Sequence, residues 1–351
     1  MINKLFKNLY KIEEKKHSAL YVFGFAYYLI TMIMPSIILT LNKIDHGYFT
    51  MNYYYPISII ILATINGYTI FKYLYSKPDV DFLHSLPANR NNIFYSKLIF
   101  GINVYLFPTL ISILIEYFVL LYIRPDAIIV QSEIIKMLIC NILFYILCLL
   151  VTSLCVCISG KHIFAIFLNL FWHISGYLLI LTSSILTLTF NKSINTNHEP
   201  NMIFGYLSPY YTYDKIMHSE NNIIHTTLII IYIIILFRLC KLSFQNRKLE
   251  NYNKAVAFES ISKFIQIIVS IVFGLLGGET LLIFYEYDIT NLTKLIILIV
   301  GVCVFSTVTF IVIDLIYHKK IVFSFSKIID FILSLLVPIF IVVLYTYVVG
   351  V

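Results

Sequence analysis

The stretch Leu295-Ile-Ile-Leu-Ile-Val-Gly-Val-Cys-Val-Phe-Ser-Thr-Val-Thr-Phe-Ile-Val-Ile-Asp-Leu-Ile316 carries one charged residue, Asp314, in 22 positions. At about 1.5 Å per residue such a helix reaches about 33 Å, the thickness of the hydrocarbon core of a bilayer. It is apolar all round, so it has no wet face to turn toward water. Eight further runs have the same character: 19–41, 54–71, 98–122, 134–158, 162–188, 223–239, 264–284 and 328–349. Composition agrees. Of 351 residues, 60% are hydrophobic and 12% are charged, half the charge of a typical soluble domain, and the mean hydropathy is +0.88. A soluble globular enzyme, a disordered chain and a nucleic-acid-binding module are all excluded on these numbers. The expectation is an all-α integral membrane protein, a polytopic helical bundle of about nine transmembrane helices with an N-terminal interfacial helix.

The net charge of +7 then reads as topology. With the N-terminus inside, segments 1–18, 72–97, 160–161, 238–263 and 318–327 hold 19 of the 25 Lys and Arg, leaving Lys43, Arg124, Lys136, Lys192, Lys215 and Lys294 outside. This bias follows the positive-inside rule. Nine spans put the N-terminus in the cytoplasm and the C-terminus outside the cell membrane. The six Cys lie in or beside apolar runs, which marks buried thiols and not a disulfide framework. Cys155-Val156-Cys157 reads as a pair of buried thiols and not as a metal site.

At the N-terminus, Leu5, Phe6, Leu9 and Ile12 fall on one helical face and Lys4, Lys7, Lys11 and Lys15 mostly elsewhere. That pattern suits a helix on the inner membrane surface with its lysines toward anionic headgroups; a solvated charged leader is the alternative. In the first cytoplasmic loop, Pro78 and Pro87 bracket a segment long enough for one or two helical turns. Asp79 or Asp81 is placed to cap it. Phe82, Leu83 and Leu86 form an apolar face that either enters a groove on a partner or folds back onto the spans.

The run Asp-Phe-Leu-His-Ser-Leu-Pro-x-x-Arg at 81–90 resembles the loop between the second and third helices of ABC type-2 transporter permeases. Arg247-Lys248-Leu249-Glu250 followed by Ala255-Val256-Ala257-Phe258, and Leu207-Ser208-Pro209 before a span, resemble further elements of that family in the same order. The resemblance implies a dimer half whose first loop is a coupling helix docking on a separate cytosolic ATPase. It carries that role onto Asp79, Asp81, Phe82, Leu83, Ser85, Leu86, Pro87 and Arg90. It implies a six-helix permease core over 19–241 with coupling loop 72–97 and external segment 191–222, after the interfacial helix 1–18. A cytoplasmic linker 242–263 follows. The helices of 264–351 exceed the six-helix pattern, as in longer members that export amphipathic peptides such as phenol-soluble modulins. The partners implied are the ATPase, a second permease copy or homologue, lipid, and a hydrophobic or amphipathic peptide. No nucleic acid is among them. The chain has no P-loop: Gly160-Lys161 is its only Gly-Lys, and Cys155 stands where the first Gly is needed. No cofactor is expected in this chain, and ATP and Mg would be bound by the partner. The chain is thus expected to be a transport subunit and not an enzyme.

Polar groups at membrane depth are costly, and each is a functional candidate. Asn141, Tyr145, Cys148 and Thr152 share one face of the fourth span, and Asn169, His173, Gly176 and Ser183 one face of the fifth. Such stripes either line a polar path or hydrogen-bond helices together. Ser270, Gly274 and Gly278 form a small-residue stripe for close helix packing. Glu116 and Glu279 are the intramembrane carboxylates, placed for ion coupling or for a structural role near the outer headgroups. Two other classes of function compete. Asp79-Val80-Asp81 has the Asp-x-Asp form of a metal-dependent, glycosyltransferase-like membrane enzyme. An ion-coupled secondary transporter is the other, although no internal repeat is visible.

Overall fold

The computed structural model describes residues 2–30, 54–123, 131–190, 209–218, 223–248, 254–284, 290–318 and 324–349. All regular structure among them is helical. The helices are α1 (Ile2–Lys16), α2 (Ala19–Tyr28), α3 (Tyr54–Phe71) with a 3-10 turn (Lys72–Tyr75), α4 (Lys77–Ser85), α5 (Arg90–Ile123), α6 (Gln131–Ile158), α7 (His162–Phe190), α8 (Pro209–His218), α9 (Ile223–Asn246), α10 (Glu259–Phe284), α11 (Asn291–His318) and α12 (Phe325–Val349). Eight of them, α3, α5, α6, α7 and α9 to α12, are long and apolar enough to cross a membrane. The chain is an all-α, multi-pass membrane protein. Of the expected first span, α2 is described and 31–41 lies outside the described residues.

Two helix edges differ from the hydropathy reading. α5 begins at Arg90 and not near Leu98, so Lys97 is a buried helical residue and not part of a cytoplasmic loop. α9 runs on past Leu239 to Asn246, because Leu236, Cys240 and Phe244, spaced by four, keep one buried face through the basic residues. Phe244 packs its ring against Phe71 and Phe94.

The chain forms two compact units. Unit 1 comprises Met1–Asn169 and Thr212–Lys254. At its centre α6 packs against α3 and α9, while α1 and α2 lie along α5. Close approaches rest on glycine: a Cβ on Gly67 would stand 2.9 Å from Thr152 Cβ, and one on Gly101 would stand 2.8 Å from Ile70 Cδ1.

Unit 2 comprises Leu170–Tyr211 and Ala255–Val351. Its centre is the antiparallel pair α10 and α11. Gln266 Nε2 donates to Phe310 O at 3.0 Å, Gly274 faces Ser306, and Gly278 faces Leu298 and Val302. The polypeptide backbones touch there: a Cβ on Gly278 would lie 2.9 Å from Leu298 O, and one on Gly301 would lie 2.7 Å from Gly278 Cα. Gly278→Leu is therefore expected to force the helices apart at a cost of about 1–3 kcal/mol, read as a lowered melting temperature in detergent. Thr280→Leu, on the exposed side of the same turn, should leave melting unchanged. Equal effects of the two would refute the packing argument. Leu186, Phe190, Leu275, Leu282, Leu298, Val302 and Val342 make the apolar core that α7, α10, α11 and α12 share. At the other end of this bundle Lys327 pairs with Asp314, and Lys263 Nζ donates to Ser326 Oγ at 2.7 Å.

Candidate functional site

The expected coupling segment forms α4 for local reasons. Pro78, in the first turn, has the fixed φ a helix start requires and lacks only an N–H that would be unpaired anyway. At the far end, Pro87 excludes the helical region for Leu86, whose φ of −66° and ψ of 144° are extended. The expected capping is corrected. Ser76 holds the N-cap position without a side-chain cap bond, and Asp79 lies inside the first turn, where its carboxylate complements the positive end of the helix dipole. Ser85 Oγ donates to Phe82 O at 2.8 Å.

The apolar face is divided. Val80 and Leu83, three apart, are buried and anchor α4 to unit 1, and Leu86 is half-buried. Phe82 points the other way and is 65% exposed. Asp79, Asp81, Ser85 and Pro87 are exposed with it. Asp79 and Asp81, two residues apart on a helix, do not face each other, and no group of three His, Cys, Asp or Glu able to hold a metal ion occurs among the described residues. Burial pushes the His84 imidazole below its usual range, with Arg90 acting in the same direction and Asp81 against it.

Two arginines beside α4 join the ends of neighbouring spans to one another. Arg90, just beyond α4, donates from Nη1 to Gln245 O at 2.6 Å and Arg247 O at 3.1 Å, capping α9. Asn91 and Gln245 join their side-chain amides beside it. Arg247 is itself buried. Its Nη1 donates to the carbonyls of Val156 at 2.8 Å, Cys157 at 3.0 Å and Ser159 at 2.8 Å, and its Nη2 donates to Leu74 O at 3.0 Å. These are carbonyls that the end of α6 and the 3-10 turn leave without helical partners. The cation is thus neutralised by the negative end of a helix and not by a carboxylate. Tyr75, the residue before the α4 cap, bonds its hydroxyl to Ser159 Oγ at 2.7 Å and lays its ring 5.7 Å from the Arg247 guanidinium. The ends of α3, α6 and α9 in unit 1 are therefore held to one another by hydrogen bonds beside α4.

A second buried cation lies at the same end of unit 1. Lys97, 2% exposed, donates to Glu13 Oε1 at 2.7 Å and to Ile70 O at 3.2 Å, with its ammonium 4.4 Å from the Tyr73 ring centre. Glu13 belongs to α1, so this pair bolts the N-terminal helix to α5. Asn103 Nδ2 adds a bond to Tyr10 OH at 2.9 Å. The docked face of α1 is therefore Leu9, Tyr10, Glu13 and His17, while Ile12, Lys7, Lys11, Lys15 and Lys16 are exposed. This corrects the expected grouping of Leu9 with Ile12; the side chains of Leu5 and Phe6 are outside the described residues. Burial holds the His17 imidazole below its ordinary range, the Glu13 carboxylate opposing.

The intramembrane candidates separate. Asn141 Oδ1 accepts from Tyr213 OH at 2.7 Å. Asn169 Oδ1 accepts from Thr152 Oγ1 at 3.1 Å, and its Nδ2 donates to Thr64 Oγ1 at 2.9 Å. Asn66 donates to Tyr145 OH, which donates to Gly101 O, both at 2.9 Å. These asparagines join helices to one another. His173 and Glu279 belong to unit 2, and neither the His173 Nε2 nor the Glu279 carboxylate has a hydrogen-bond partner among the described residues. Ser270 Oγ bonds back to Gln266 O at 2.8 Å, and Gly274 and Gly278 form the seam with α11. The side chain of Glu116 lies outside the described residues, as do Leu207, Ser208, Leu249 and Glu250; of the segment 191–222 only Pro209–His218 is described. Sequence reasoning missed the roles of Arg247, Glu13 and Lys97. The one available signal was at Lys97, a basic residue next to an apolar run with no carboxylate three or four residues away. All six cysteines are free thiols.

Comparison of the chain with known protein families, with curated proteins and with solved structures yields no match.

Proposed function

We propose that this chain is the membrane-spanning permease subunit of an ATP-driven ABC exporter in the cell membrane. It works as one half of a dimer and moves hydrophobic or amphipathic peptides outward with ATP hydrolysed on a separate cytosolic subunit. The observation that carries the reading is α4, a short helix clamped to unit 1 by Val80 and Leu83 while Phe82 and two aspartates stand free beside it. An exposed aromatic on an anchored helix, with two exposed aspartates on the same helix, suits a groove on a soluble partner. The Arg90 and Arg247 bonds then pass a rigid-body movement of that partner to the span ends. The lysine and arginine bias supports a cytoplasmic N-terminus and an external C-terminus.

The test is co-purification from the native host in mild detergent. An ATPase is expected to elute with the tagged chain. Phe82→Asp should weaken that association by about thirtyfold with no change in melting, because Phe82 is exposed. Ion-gradient-driven transport by the chain alone in proteoliposomes would refute the reading.

A further inference from the structure

Unit 2 holds a buried carboxylate, without a hydrogen-bond partner among the described residues, that the exporter reading does not use. Glu279 lies one and a half turns before the end of α10 at Phe284. It is 2% exposed, and both Oε1 and Oε2 are buried with no hydrogen-bond partner among the described residues. Its helix neighbours on the same face, Leu275 four residues before and Leu282 three after, belong to the apolar core shared with α7, α11 and α12.

The charged and titratable groups of those helices are engaged or distant. On α11, Lys294 is at the same end of the bundle but gives its ammonium to Thr189 O at 3.1 Å. On α12, Tyr345 donates to Ser183 O at 2.9 Å. Asp314 and Lys327 pair with each other at the opposite end, where Asp330 also lies, and His173 is several turns along α7 from Thr189. Among the described residues no counter-ion bonds Glu279, and a charge so placed in an apolar core neutralises instead. A leucine would continue the face set by Leu275 and Leu282 without any such demand, so the carboxyl group has no packing rationale.

We propose that Glu279 is a proton-binding site. It is a neutral carboxylic acid in the conformation described here. It ionises only when unit 2 opens to admit water, and its proton then leaves toward the side at which α10 ends. The α10–α11 seam is backbone against backbone and does not part. The opening therefore runs between that pair and the helices α7 and α12, whose Leu186, Phe190 and Val342 share the apolar core with Leu275 and Leu282. The proposal holds whatever energy source drives transport.

Dicyclohexylcarbodiimide, an apolar reagent that modifies protonated carboxyl groups within membranes, tests it on the full chain in proteoliposomes. A stable adduct on Glu279 is expected by mass spectrometry, absent from Glu279→Gln and diminishing as the pH is raised. Glu279→Gln and Glu279→Leu should both fold with the wild-type melting temperature. No adduct at any pH, together with a lowered melting temperature of Glu279→Gln, would mean an ionised, paired carboxylate and would overturn the proposal. So would an adduct indifferent to pH, since the acid would then never ionise and would be structural only.

Discussion

Arg247→Leu is expected to destabilise unit 1 by about 3 kcal/mol. The substitution removes four charge-assisted bonds at once. It also leaves the carbonyls of Val156, Cys157, Ser159 and Leu74 buried beside an aliphatic chain that satisfies none of them. An unpaired buried acceptor costs its full desolvation, which is why truncating one partner exceeds the net worth of the bond. Arg247→Lys should recover only part of the loss. An ammonium on a single stem lacks the planar fork that reaches the end of α6 and the 3-10 turn together. Arg238→Leu removes the same charge from an exposed site on α9 and should stay within about 0.5 kcal/mol. Thermal unfolding of the purified chain reads all three, and wild-type melting of Arg247→Leu would show that the carbonyl cage does not hold the span ends. Under the exporter reading, Arg247→Lys should still bind the ATPase through Phe82 yet transport poorly, because the cage that joins the span ends beside α4, and not the exposed face of α4, has been loosened.

The second large effect concerns Glu13 and Lys97. Lys97→Met alone is expected to cost about 3–5 kcal/mol, because it strands the Glu13 carboxylate in a buried place. The double variant Glu13→Leu, Lys97→Met should regain most of that stability, since a buried pair replaced by apolar side chains of similar volume is often neutral. The expected signature is strong non-additivity in a double-mutant cycle. Additive losses would mean that water or another group already compensates each charge. The cycle also tests the docking of α1, because Glu13 is the only acidic residue that α1 turns toward α5 among the described residues.

The class of fold was open to sequence reading because its cause is local. A run of about 20 apolar residues has one stable home, and the bilayer core sets that length. The eight described spans accordingly begin and end close to their hydropathy limits, most nearly at α3, α6 and α7. Pro78 and Pro87 likewise bound α4 by their own φ and by the restriction on the residue before each. The stripe of Ser270, Gly274 and Gly278 showed one side of a close helix contact, since small residues four apart share a face. It could not show the other side, where Gly301 and Phe305 stand.

What stayed hidden has a common reason. A transmembrane helix is apolar all round, so no amphipathic pattern chooses its buried face. Nothing local separates Asn141 and Asn169, which join helices, from Glu279, which has no partner among the described residues. Backbone carbonyls leave no sequence signature either, because every residue has one; Arg247 looked like a loop charge until the end of α6 was seen folded around it. Phe82 and Leu83 are adjacent apolar residues on one short helix, and only its docking on unit 1 made one an anchor and left the other exposed. The sequence by itself thus determined the membrane-spanning helical class, the positions of the spans and the limits of α4. The tertiary structure alone decided which charges are caged, which are paired and which one is isolated, because those depend on groups brought together from spans far apart in the chain.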